Sequence, residues 1–134
     1  MRVMIDTNVL FSAFIIPSPL LMRMIDVIAE QHTIVLSSYV IDELKRVTRK
    51  KFPDKYGSLE SFLKELPFEL VYTPEKIDKQ KYPRIRDEKD LPVLITAIIG
   101  DVDVLVSGDE DFKSVETERP EFLTPRAFVE KYCE

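Results

Sequence analysis

Cysteine and histidine occur once each in the 134 residues, as Cys133 and His32. An internal disulfide is therefore impossible, chemistry needing paired histidines is excluded, and a zinc site of the usual His/Cys type is nearly so. A lone thiol suits a reducing compartment, so a cytoplasmic protein is expected. His32 falls in the polar segment "EQHT", where a turn or surface residue is expected. No Gly-x-Ser-x-Gly turn is present to raise a nucleophilic serine. No apolar run is long enough to span a bilayer. Asp6 interrupts the first apolar stretch, so a signal peptide is not expected. Side-chain amides are scarce, with Asn8, Gln31 and Gln80 alone among many Lys and Glu, a composition leaning toward heat-adapted proteins.

What is present describes one ordinary globular domain, residues 1–134. Apolar residues make up 45% and charged residues 32%, enough to bury a core without covalent staples. The net charge of −5 argues against coating nucleic acid by bulk attraction. Positive charge is nonetheless local. "KRVTRKK" (45–51) and "KIDKQKYPRIR" (76–86) hold ten of the nineteen basic residues, as solvated segments or as two patches flanking an acidic site.

Short apolar runs alternate with amphipathic ones. Strands are predicted at 2–5, 33–38, 68–72 and 102–107, with a short fifth at 121–124. Helices are predicted at 20–31, 38–51, 58–66, 91–99 and 125–133. Pro19 and Pro125 suit first helical turns, and Thr124 and Ser58 suit N-caps. The 91–99 helix is apolar nearly all round and should be buried. This order predicts an α/β fold with a mainly parallel sheet and helices on both faces.

Four acids each follow a different strand: Asp6, Glu43, Asp90 and Asp109. In a parallel sheet those points share the carboxyl edge, where open α/β folds bind ligands. Each acid has an ordinary alternative. Asp6 and Asp90 could be caps, Glu43 a solvated helix residue beside Asp42, and Asp109 with Asp111 an acidic turn. All four at one edge are harder to explain that way. Two carboxylates about 4 Å apart repel by roughly 4 kcal/mol at an effective dielectric of about 20. Such a cluster either raises its pKa values or holds a cation. All-oxygen ligands select Mg²⁺ or Mn²⁺, ions suited to phosphodiester hydrolysis.

"VMIDTNVLFSA", "YVIDEL", "RDEKDLPVLITAI" and "VLVSGDEDF" occur in that order, and in this the chain resembles PIN domains over nearly its whole length. Within that family it most resembles the VapC-like toxin components of toxin–antitoxin pairs. The resemblance implies a three-layer sandwich around a mainly parallel sheet. It also implies a Mg²⁺- or Mn²⁺-dependent ribonuclease, an antitoxin partner and a homodimer. Asp6, Glu43, Asp90 and Asp109 match the acidic quartet, with Asp111 an additional acid and Asp87 the first acid of the third motif. Asp87 and Asp90 compete for one role, and Asp109 and Asp111 for another. Asp90 is preferred because the apolar face after it fixes the register, and Asp109 because it lies nearer its strand. Thr7 and Asn8 match residues supporting the first acid. Ser107 stands where Thr is common and keeps the hydroxyl. Arg46, Lys50, Arg84 and Arg86 are candidates to track an RNA backbone.

Three other readings are weaker. A haloacid-dehalogenase-type phosphatase needs a second Asp where Asn8 stands. A response-regulator receiver needs a lysine after its last core strand, and "EFLTPR" has none. A non-catalytic RNA- or partner-binding module would have little use for a complete quartet. A nuclease of RNA processing rather than a toxin remains the nearest alternative role.

Overall fold

The computed structural model describes residues 1–133. Five strands form one sheet: β1 (Arg2–Ile5), β2 (Thr33–Ser37), β3 (Phe68–Val71), β4 (Val104–Val106) and β5 (Glu121–Leu123). Their order is β3-β2-β1-β4-β5, and every neighbouring pair is parallel. Val3, Met4, Ile5 and Val104, Leu105, Val106 are all buried. Continuous apolar runs of this kind belong to interior parallel strands covered on both faces. The helices supply that cover: α1 (Thr7–Ile15), α2 (Pro19–Gln31), α3 (Ser38–Lys51), α4 (Tyr56–Glu65), α5 (Leu91–Ile99) and α6 (Pro125–Tyr132). The α/β sandwich is the one expected. None of these helices is long and apolar enough to cross a membrane.

Three local features depart from the expectation. Helix α1 was not foreseen. Val9, Leu10 and Ala13 are buried while Phe11 and Phe14 are half-buried, so apolar residues point most ways and blur the helical period. Ser58 is not an N-cap, because a 3-10 turn at Pro53–Lys55 runs directly into α4 and starts it earlier. Strand β4 is shorter than 102–107, although its ladder continues through Asp103 N–H to Arg2 O and Ser107 N–H to Leu123 O. The Thr124 cap agrees with expectation, accepting from Ala127 N–H ahead of α6, and Pro19 and Pro125 open their helices as expected; the Ser18 cap of α2 was not foreseen.

The topology also locates a crevice. From β1 the chain steps outward through β2 and β3, then returns to lay β4 on the other side of β1. The order therefore reverses between β1 and β4, and open α/β sheets bind ligands outside the carboxyl ends at such a switch. Ile5 pairs with Val106 there, and Asp6 N–H donates to Val106 O at 3.0 Å. Asp6 and Ser107 thus emerge side by side.

Candidate metal centre at the carboxyl edge

Asp6 is 6% exposed and caps α1, one carboxylate oxygen accepting from Thr7 N–H at 2.7 Å. The other accepts from Ser107 Oγ–H, also at 2.7 Å. Ser107 Oγ in turn accepts from Asp109 N–H at 3.0 Å, so one hydroxyl joins the ends of β1 and β4. Asp109 caps the following 3-10 turn by accepting from Asp111 N–H at 2.8 Å. Asp87 does the same for the turn Glu88–Asp90, accepting from Lys89 N–H at 3.0 Å. Asp90 precedes α5 but makes no capping hydrogen bond.

Capping therefore accounts for Asp6, Asp87 and Asp109; the turns held by Asp87 and Asp109 carry Asp90 and Asp111. It does not account for Asp90 or Asp111. Oδ2 of Asp90 and Oδ1 of Asp111 are buried without a hydrogen-bond partner among the described residues. Arg86 Nε lies 2.6 Å from Asp111 Oδ1, an ion pair whose N–H is not aligned as a hydrogen bond. The guanidinium is 76% exposed and the Asp111 side chain 12%.

A cleft of about 340 Å³ gathers Asp6, Thr7, Asn8, Glu43, Asp87, Asp90 and Asp109. The four acids that follow different strands thus share one cavity. The tightest carboxylate cluster among the described residues is a different set: Asp87, Asp90 and Asp111 offer oxygens within 4.8 Å of one another. Asp90 belongs to both groupings. Glu43 reaches the cleft from α3, whose first turn is capped by Ser37 accepting from Val40 N–H. Its carboxylate lies 3.7 Å from Arg46.

The electrostatics follow from crowding and burial. Burial, then the Asp109 carboxylate beside it, pushes Asp90 up to about 7. Burial also raises Asp6, opposed by the hydrogen bonds from Ser107 and Thr7. A buried carboxylate oxygen with neither hydrogen bond nor ion pair among the described residues, as at Asp90 Oδ2, crowded by other acids, is what a hard cation would neutralise. The donor set is all oxygen and so fits Mg²⁺ or Mn²⁺ rather than a softer metal.

Tyr39, Val47, Lys51, Phe11, Lys89 and Val93 also line this cleft and were not singled out from sequence. The signal for three of them was available. Tyr39, Glu43, Val47 and Lys51 are spaced four apart on one helix and share a face. The basic candidates do not share one surface. Arg46 and Lys50 border a groove of about 460 Å³ with Asp42, Lys45, Arg49 and Tyr56. Arg84 borders a separate pocket of about 510 Å³ with Lys79 and Tyr82. Arg86 is held by Asp111.

Comparison with known proteins bears on the family and the fold. Residues 2–111 match the PIN domain family. The fold is similar to the crystal structure of VapBC2 from Rickettsia felis bound to a DNA fragment from their promoter. That match has a TM-score of 0.72 at 22% identity and covers 92% of this chain and 98% of that one. No curated protein sequence matches the chain. With the family match spanning most of its length and the acids gathered at the switch point of a parallel sheet, the chain belongs to the PIN domain family.

Proposed function

We propose that residues 1–134 are a single-domain, Mg²⁺- or Mn²⁺-dependent endoribonuclease, the toxin component of a toxin–antitoxin pair. The observation that carries this reading is the convergence of carboxylates from four separate segments on one cleft, with Asp90 Oδ2 buried and free. Asp6, Glu43, Asp90 and Asp109 would hold the ion, directly or through water, with Asp87 and Asp111 as further ligands. Such an ion acidifies water and offsets negative charge on phosphoryl oxygens.

The remaining roles fall to this chain's own groups. Glu43 orients the attacking water, and no side chain serves as nucleophile. Thr7 N–H and Ser107 Oγ–H hold the two oxygens of Asp6 in fixed directions. Asn8 stands at the same wall of the cleft. The RNA runs over α3, where Lys45, Arg46, Arg49 and Lys50 offer phosphate contacts. The Arg49 guanidinium lies 4.4 Å from the Tyr56 ring centroid, a pair suited to stacking an unpaired base. Arg84 and Arg86 are less favoured for this task, the first on another pocket and the second committed to Asp111.

The VapBC2 structure, a complex by its description, supports an antitoxin protein as partner. A cytoplasmic homodimer is the working form this reading assigns. The test is cleavage of fluorescent single-stranded RNA with Mn²⁺ or Mg²⁺, beside a chelator control, a matched DNA and Asp6→Asn. Metal-dependent cleavage of RNA that disappears in the variant supports the reading. Cleavage that survives Asp6→Asn removes it, and folded, metal-bound protein that cuts no RNA moves the chain to the binding-module class.

A further inference from the structure

We infer that a three-residue hydroxyl clamp, Ser38–Thr73–Thr96, sets the spacing of Glu43 and Asp90 across the cleft, with Thr73 as the positioning residue. The inference rests on the proposed metal-site reading for its functional consequence, but not for its geometry. Thr73 lies two residues beyond β3, and its Oγ1 accepts from Tyr39 N–H at 3.3 Å. Its own N–H donates to Ser38 Oγ at 2.9 Å. Thr73 and Thr96 hydroxyls are 2.7 Å apart, and Thr96 Oγ1 also donates to Pro92 O at 2.7 Å.

The protons can be assigned. A hydroxyl has one hydrogen to give. Thr96 gives its hydrogen to the Pro92 carbonyl, so Thr73 donates to Thr96 and accepts from Tyr39. The chain of bonds then runs in one direction, from the first turn of α3 through Thr73 to the first turn of α5. Those two turns adjoin the two cleft walls. Glu43 stands four residues after Tyr39 on α3, and Asp90 stands two residues before Pro92. Tyr39 itself lines the cleft between them.

Local geometry alone gives Thr96 a reason only for its bond to Pro92, a common back-bond of helical threonine. It gives no reason for a second hydroxyl from beyond a different strand. Thr96 is fully buried, and among the described residues its spare acceptor is satisfied by Thr73 alone. The clamp acts where repulsion is greatest. Crowded carboxylates would otherwise push α3 and α5 apart, and fixed outer partners keep ligands at binding distance.

The experiment compares Thr73→Val with Thr73→Ser, using Thr48→Val on α3 as a control. Thr48 Oγ1 is buried without a hydrogen-bond partner among the described residues, so its removal takes a hydroxyl from α3 without breaking a bond of the clamp. Mn²⁺ affinity, thermal unfolding and amide hydrogen exchange are measured for each purified chain. Thr73 bonds to no proposed ligand, so Thr73→Val is expected to weaken Mn²⁺ binding about three- to tenfold, reaching at most the low end for loss of a ligand's own hydrogen-bond partner. Exchange should speed up in the first turns of α3 and α5 together. Thr73→Ser should restore both, and Thr48→Val should change neither.

Parental Mn²⁺ affinity in Thr73→Val overturns the inference. So does a loss of exchange protection confined to α3, because the two walls would then not be joined. If the parent chain binds no Mn²⁺, the metal-site reading fails on its own, and the exchange pattern still decides whether the clamp exists.

Discussion

The two edges of the sheet treat their carboxylates in opposite ways. At the amino edge, Arg2 reaches Glu69 at 2.6 Å and donates its backbone N–H to Asp103 at 2.8 Å. Arg119 closes the same edge, pairing with Asp101 at 3.0 Å and with Asp103 at 2.8 Å. The Arg2 N–H, with Arg119 helping, holds Asp103 below the usual carboxylate range, and the Arg2 guanidinium does the same for Glu69. At the carboxyl edge, burial and neighbouring acids raise Asp6 and Asp90 instead. One edge is neutralised by its own side chains. The other is only partly neutralised: Arg86 pairs with Asp111, while Asp90 Oδ2 is buried with neither a hydrogen bond nor an ion pair among the described residues. Raised, poorly compensated acids of this kind gather at functional sites, so the contrast marks the carboxyl-edge acids as the functional candidates better than a count of acids does.

The largest test of this contrast is Asp6→Asn. Cleavage of RNA should fall by more than about a hundredfold, beyond the usual cost of an outer-shell change. The unfolding temperature should hold or rise, because a buried charge has been removed.

The matching change at the other edge is Asp103→Ala. It strands the Arg2 N–H and frees Arg119, so stability should drop by about 1–3 kcal/mol in denaturant unfolding. Mn²⁺ affinity should stay at the parental value.

Dependence on pH sharpens the comparison. The folded pKa of Asp90 is raised to about 7, so its charged form is disfavoured by folding. Its contribution to metal-free stability is greatest below the unfolded pKa and is lost as pH rises toward about 7. Metal binding needs the deprotonated form, so Mn²⁺ affinity should climb through the same window. Asp103 and Glu69, with lowered pKa values, stabilise the fold above their unfolded values and lose that effect as acid protonates them. Asp90→Asn should therefore raise the metal-free unfolding temperature at about pH 8, by about 2–6 °C, and abolish the rise of Mn²⁺ affinity with pH.

The smallest effect is expected from Arg86→Ala. Removing this exposed cation frees Asp111 for a metal, and Mn²⁺ affinity should improve about two- to fivefold, the scale of an exposed ion pair. Calorimetric titration would detect it.

Much of this arrangement was legible in the sequence. Valine-rich runs marked the interior strands, and the position of each acid after a strand placed all four at one edge once the sheet was parallel. The cleft-facing stripe Tyr39–Glu43–Val47–Lys51 was also there to be read, since four-residue spacing fixes a helix face. Helix α1 was obscured because "TNVLFSAFI" is apolar on nearly every side. The division of Asp87 as cap from Asp90 as free carboxylate depends on the geometry of one 3-10 turn, which composition does not encode. Pairings such as Arg86 with Asp111 or Thr73 with Thr96 join residues more than twenty positions apart, and only the assembled fold brings them together.

The most direct test of the central claim is calorimetric Mn²⁺ titration of the parent, Asp6→Asn, Asp90→Asn and Asp103→Asn at about pH 8, above the raised pKa of Asp90. The account predicts binding in the parent and in Asp103→Asn, and its loss in both carboxyl-edge variants. Equal binding in all four proteins, or none in the parent, would contradict it.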